Sequence, residues 1–194
     1  MIDDSASLND EEYEQEKKFV LDLIEELKPT RNGAHIALLQ FSEVYLPEWL
    51  FPMIINFSSP QDLDSIIDTI KNLNQTKGRA THTDSALNTS LHVMFKEENG
   101  MRPADIPKNL VIVTDGVCSG FCGPEELRPY AKKLKEKNVR IIVVGIENED
   151  FSEKKFNEFA DALVYDKRDK MLAKDANDLN NLVKRVSQCI EIIE

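Results

Sequence analysis

A chain of 194 residues, 41% hydrophobic and 30% charged, has the size and balance of one soluble globular domain with a full core. Its net charge of −11 argues against nucleic acid and acidic membranes as partners, because neither tolerates the repulsion without a basic patch. No apolar run approaches the roughly 18 residues of a membrane span, and three cysteines are too few for a disulfide scaffold.

Met1-Ile2 reads as the end of a buried strand and leads into Asp3-Asp4-Ser5-Ala6-Ser7. Residues 9–28 are predicted as a helix, with Val20, Leu23, Ile24 and Leu27 on one stripe and acids in the first turns, where the helix dipole favours them. Pro29 and Asn32-Gly33 end it. Residues 36–41 form a short apolar run, as a strand buried on both faces requires. Residues 44–57, interrupted by Pro47 and Pro52, read as an irregular edge strand. Ser59 as N-cap and Pro60 at the first position open a helix striped by Leu63, Ile66, Ile67, Ile70 and Leu73.

A polar loop, residues 74–83, leads to a helix carrying Leu87, Leu91, Met94 and Phe95. Residues 110–114 are the clearest buried strand, with Asp115-Gly116 at its carboxyl end. Pro124 starts a helix striped by Leu127, Tyr130, Ala131 and Leu134. Residues 139–145 are a strand, 151–159 a short helix, 162–165 a last strand and 176–193 a closing helix. This alternation predicts an α/β, doubly wound, mostly parallel central sheet with helices on both faces and one antiparallel edge strand.

In such open sheets a ligand site lies beyond the carboxyl ends of the strands. Those ends bring Asp3, Ser5 and Ser7 from the first strand, Thr81 from the loop before residue 83, and Asp115. Each is ordinary alone: an Asp/Ser turn, a helix cap, an Asp-Gly turn. Together they are two carboxylates and three hydroxyls, an oxygen-only set that suits Mg²⁺, Mn²⁺ or Ca²⁺ and not zinc. No second Cys/His pair stands at zinc-ligand spacing, and His35, His82 and His92 are isolated. Cys118 and Cys122 lie four apart in one loop, at a spacing open to a local bridge.

With Asp3-x-Ser5-x-Ser7, Thr81-His82-Thr83 followed by Ala86-Leu87, and Val111-Ile112-Val113-Thr114-Asp115-Gly116, the sequence resembles the von Willebrand factor type A domain, the Rossmann-like fold of integrin inserted domains. The stretches Ala37-Leu38-Leu39-Gln40-Phe41-Ser42 and Val143-Val144-Gly145-Ile146 share the likeness, which spans nearly the whole chain. The resemblance implies one domain over residues 1–194 with its metal-ion-dependent adhesion site (MIDAS) at Asp3, Ser5, Ser7, Thr81 and Asp115. It further implies a non-enzymatic cell-adhesion module in which a Mg²⁺ (or Mn²⁺ or Ca²⁺) ion takes an Asp or Glu carboxylate from a partner protein. Members normally have several apolar residues before the first Asp, so the resemblance implies a first strand truncated at the N-terminus. It also implies a C-terminal helix, residues 176–193, that shifts on ligand engagement, although plain core packing explains the same stripe.

Residues 3–18 are too acidic and polar for a signal peptide. The expectation is therefore either an intracellular scaffold domain or a piece of a longer extracellular or cell-surface chain. Sequons at Asn56, Asn74 and Asn88 and the cysteines favour the extracellular reading. A third reading is a matrix domain with a vestigial metal site. Asp3-Asp4 after a strand also suits a Mg²⁺-dependent phosphotransfer enzyme, but neither a P-loop nor a GxGxxG is present to hold a nucleotide.

Overall fold

The computed structural model describes residues 1–43, 50–120 and 122–191. The two longest aliphatic runs form the middle of its sheet. β3 (Lys108–Thr114) pairs in parallel with β4 (Val139–Ile146), Lys108 against Val139 through Thr114 against Gly145. β1 (Ile2–Asp3) lies between β3 and β2 (Gln40–Phe41), and β5 (Lys170–Ala173) flanks β4, giving the order β2-β1-β3-β4-β5. Every ladder among the described residues is parallel.

Alternate residues of the central strands feed two cores, as the two-residue period of a strand requires. Leu110, Ile112, Ile141 and Val143 pack on one face with residues of α3 (Thr83–Thr89), α4 (Pro124–Glu136) and α5 (Glu153–Ala160). Ile2, Val113, Ile142 and Val144 pack on the other with α1 (Asp10–Leu27), α2 (Leu63–Lys71) and α6 (Val183–Glu191). The Rossmann-like layering expected from the alternation is therefore present. Gly145 is where α5 comes closest: a Cβ there would fall 2.5 Å from the Phe156 ring.

Four local expectations need correction. The last strand is β5, not residues 162–165. Ala162 and Leu163 instead turn under the end of α5, their amides bonded to Phe159 and Ala160 carbonyls. The run Lys170-Met171-Leu172-Ala173 is short and charge-flanked, but it buries Met171 and Ala173 on one face against β4. The antiparallel edge strand is not found: among the described residues one antiparallel bridge, Leu38 to Ile55, stands in its place. Pro52 has no amide proton, and the Phe51 amide donates instead to Thr89 Oγ1 at 2.9 Å. Residues 44–49 of that expectation lie outside the described residues.

Ser59 does not cap α2. Its Oγ accepts from Asn56, Gln61 turns inward to the Ile36 backbone, and Asp62 becomes the cap through Ser65 N–H at 2.9 Å. The closing helix, finally, begins as a 3₁₀ segment (Ala176–Leu182) before α6.

The first strand is short but continues one residue upstream in its bonding. The Met1 nitrogen donates to Val111 O at 2.7 Å, and Val113 N–H donates to Met1 O at 3.0 Å. Beyond Met1, an apolar cavity of about 220 Å³ is lined by Ala37, Leu38, Leu110 and Val111, among others.

α1 begins at a capping box. Asn9 Oδ1 accepts from Glu11 and Glu12 amides at 3.0 and 3.1 Å, and Glu12 Oε2 accepts from Asn9 N–H at 2.8 Å. Asn9→Ala removes the cap and is expected to cost about 1 kcal/mol. Urea denaturation of the metal-free protein reads this, and an unchanged midpoint would contradict the cap's role.

Candidate metal centre

Three loops meet beyond the carboxyl ends of β1 and β3, and backbone bonds tie them together. After Asp3 the chain runs beside residues 77–78, with Ala6 N–H donating to Gly78 O at 2.8 Å and Lys77 N–H to Asp4 O at 3.1 Å. Buried Asp4 accepts from Thr76 Oγ1 at 2.8 Å. Gly78 is required by close approach: a Cβ there would lie 2.4 Å from Ser42 Oγ and 2.7 Å from Glu43 N. His82 N–H then donates to Ser42 O at 2.8 Å. These contacts hold the Thr81 segment over the end of the sheet.

Ser5, Ser7, Thr81 and Asp115 line one open cleft. Ser5 Oγ lies 2.8 Å from Ser7 Oγ, and Ser7 Oγ donates to Asp115 Oδ1 at 2.9 Å. Asn148 holds Asp115 from the far side, donating to its backbone oxygen at 2.7 Å and to Oδ2 at 3.3 Å. Asp3 sits beneath the cleft, fully buried. Its Oδ1 accepts from Ser5 N–H at 2.9 Å and its Oδ2 from Thr114 Oγ1 at 2.6 Å. The five sequence-predicted residues thus share one end of the sheet: four border the cleft, and Asp3 braces them from below.

The floor is crowded with negative charge. Burial first, and the Asp115 charge second, raise the Asp3 pKa from 3.8 to about 7. Burial likewise raises Asp115, against hydrogen bonds from Ser7 and Asn148 that favour its charged form. Below them lies Glu16, fully buried, with Oε1 accepting from Asp3 N–H at 3.2 Å and Oε2 without a hydrogen-bond partner among the described residues. Burial, then Asp3, then Asp115 push its pKa well above the usual carboxylate range. Buried carboxylates in such proximity are a poor arrangement for an empty site and a good one for a cation. The donors at the cleft are all oxygen, so the residues fit a hard divalent ion. A second group, Asp84 with Cys118 and Cys122, has ligand atoms within 4.8 Å of one another. Its two sulfurs are bonded to each other, which leaves no thiolate for a metal.

Sequence reasoning missed Glu16 and Asn148. Glu16 lies in the mixed-charge stretch Glu14-Gln15-Glu16-Lys17-Lys18, which has the composition of a solvated face. Its register carried the missing signal: positions 13, 16, 17 and 20 fall on one helical stripe, and all four are buried. Lys17, buried beside it, sends its ammonium to Glu14 and to the Lys71 and Leu73 carbonyls. Asn148 had no comparable signal, since only the crossing of β4 beside β3 brings its loop to Asp115.

The family model of the von Willebrand factor type A domain matches residues 1–185. The human collagen alpha-6(VI) chain is 29% identical over 148 residues, 76% of this chain and 6% of that one. Mouse matrilin-4 is 29% identical over 153 residues, covering 77% of this chain and 22% of its own length. The chain therefore spans only a small part of these relatives. Among solved structures, proximal thread matrix protein 1 from the mussel byssus, with a zinc-occupied MIDAS motif, superposes with a TM-score of 0.80 at 23% identity, over 96% of this chain and 45% of that one.

Proposed function

Since the chain belongs to the von Willebrand factor type A domain family, we propose that it is a metal-dependent adhesion module that captures a carboxylate of a partner protein. The observation that carries this reading is the Ser5–Ser7–Asp115 relay on the wall of an open cleft, braced by buried Asp3. Ser5, Ser7 and Thr81 would hold a divalent ion by their hydroxyls, and Asp115 and Asp3 by carboxylates, directly or through water. A bound ion of this kind supplies an electrophilic position that accepts a carboxylate oxygen. The neutral hydroxyls leave the charge of the ion incompletely quenched, which favours an acidic ligand. Mg²⁺ suits these oxygen donors best, with Mn²⁺ or Ca²⁺ as alternatives.

Around the cleft stand Glu12, Glu147, Glu149, Asp150 and Asp175, with Arg79 as a cationic neighbour. Such a rim favours a partner whose Asp or Glu is flanked by basic residues. We place the module in the extracellular matrix or at a cell surface, as part of a longer chain, and read it as a binder and not an enzyme. Its matrilin and collagen relatives support both readings, and its Cys118–Cys122 bridge supports the first. No helix among the described residues is long and apolar enough to cross a membrane.

The test is capture, on immobilised protein, of matrix ligands that present an Asp or Glu flanked by basic residues. Binding is expected with 1–5 mM Mg²⁺ (on the order of saturating for such sites), lost with EDTA and weakened by salt. Binding that is indifferent to chelation would overturn the carboxylate-capture mechanism.

A further inference from the structure

The loop after Asp115 contains a bridge that the adhesion reading does not use. Cys118 and Cys122 are joined in a disulfide with their Cα atoms 5.4 Å apart, and both are buried. Between them sits Ser119, which lines the cleft. Ser119 makes two bonds to a single residue of another loop. Its Oγ accepts from Thr81 N–H at 3.0 Å, and its own N–H donates to Thr81 O at 2.9 Å. Both backbone polar groups of Thr81 are thus satisfied by Ser119. Thr81 itself lies outside any helix or strand, ahead of α3, whose first turn has no side-chain cap. The segment is otherwise held by its neighbours, His82 N–H on Ser42 O and Arg79 N–H on Glu43 Oε2, and not at Thr81 itself among the described residues.

We propose that Ser119 is a positioning residue for Thr81, and that the Cys118–Cys122 bridge holds Ser119 in place and thereby sets the ion affinity of the cleft. This rests on the reading of Thr81 as a metal ligand. The physical argument is preorganisation. A hydroxyl ligand contributes fully only if its backbone is already placed, because ordering it on binding subtracts from the affinity. Closing a short loop with a disulfide removes conformations in which Ser119 would swing away. The bridge is local and far smaller than the domain, so its role is confined to this corner of the cleft. Both bonds go to the Thr81 backbone, so neither engages the Thr81 hydroxyl.

Two readouts test this on the same proteins: Mn²⁺ affinity by calorimetry, and the hydrogen-exchange rate of the Thr81 amide in metal-free protein. Ser119→Ala is expected to weaken Mn²⁺ binding about tenfold and to speed Thr81 exchange by a similar factor, as loss of a partly buried hydrogen bond implies. Ser119→Thr, which retains the hydroxyl, should restore both. The double variant Cys118→Ser with Cys122→Ser should move both readouts in the same direction by a smaller factor. Thr81 exchange that stays at the wild-type rate in Ser119→Ala would overturn the positioning role. Faster exchange with unchanged Mn²⁺ affinity would overturn the link to the ion. If the wild-type protein takes up no Mn²⁺ at all, the metal reading itself falls, and Thr81 exchange still decides the clamp.

Discussion

Asp115→Asn is expected to abolish stabilisation by Mg²⁺ and, in the same protein, to raise the stability of the metal-free state. The two effects have one cause. Asp115 is buried with Asp3 and Glu16 nearby, and its charge raises the pKa of both. Without a cation these carboxylates oppose one another at low effective dielectric, so deleting one charge relieves the others. Asparagine keeps the size of the side chain and an oxygen to accept from Ser7, so packing and the hydroxyl relay survive. The gain is expected to be about 1 kcal/mol, or roughly 2–4 °C in melting temperature for a domain of this size.

With Mg²⁺ at a hundred times its dissociation constant, the wild-type protein gains about 2.7 kcal/mol by mass action. The variant, lacking an anionic ligand, should gain nothing measurable at that concentration. Thermal melts with EDTA and with Mg²⁺ read both effects. A variant that is less stable than wild type without metal, or that still responds to Mg²⁺, contradicts this account of the site.

Glu16→Gln should change the pH dependence of the metal-free protein more than any surface substitution. The folded-state pKa of Glu16 lies well above its unfolded value of about 4.5 because burial, Asp3 and Asp115 all disfavour its charge. Between those two values the native state holds a proton that the unfolded chain has released, so stability falls as pH rises. Each pH unit in that window costs about 1.4 kcal/mol. Glutamine has no such penalty and still offers an oxygen to the Asp3 amide. The variant should match wild type near pH 4 and exceed it by a margin that widens as pH rises towards 7.

Asp3 behaves in the same sense between its ordinary 3.8 and about 7. Asp3 is present in both proteins, so the difference between the two curves reports the loss of Glu16 together with its coupling to Asp3. Parallel curves in denaturant melts from pH 4 to 8 would exclude the buried charge as the cause. Cation binding reverses the trend, because ligands must be deprotonated, and Mg²⁺ affinity should rise with pH.

Much of the site was legible before folding. Asp3, Ser5 and Ser7 alternate on one turn, Asp115 ends the most apolar strand, and Thr81 closes a polar loop before a helix. These positions were readable because a parallel sheet places its strand ends together, so local patterns sufficed to name the residues. β3, β4 and α1 were legible for the same reason, each being a long run with one clear period. The short elements were not. β5 is four residues whose burial depends on β4 and on the helical segments packed beside it, and Asp62 rather than Ser59 caps α2 because Gln61 is pulled inward by Ile36. Backbone bonding to a distant segment, and not local propensity, decides such cases.

By itself, then, the amino-acid sequence determined the α/β class, the two-faced core and the oxygen-donor chemistry of the cleft, since each follows from residue type and period. Only the tertiary structure decided that Asp3 braces the cleft from beneath, that Glu16 is buried charge under it, and that Ser119 in its disulfide-closed loop grips Thr81. The Glu16–Asp3 and Ser119–Thr81 relations join residues 13 and 38 positions apart. Electrostatic coupling and hydrogen bonds act through distance in space, which the order of residues along the chain does not record.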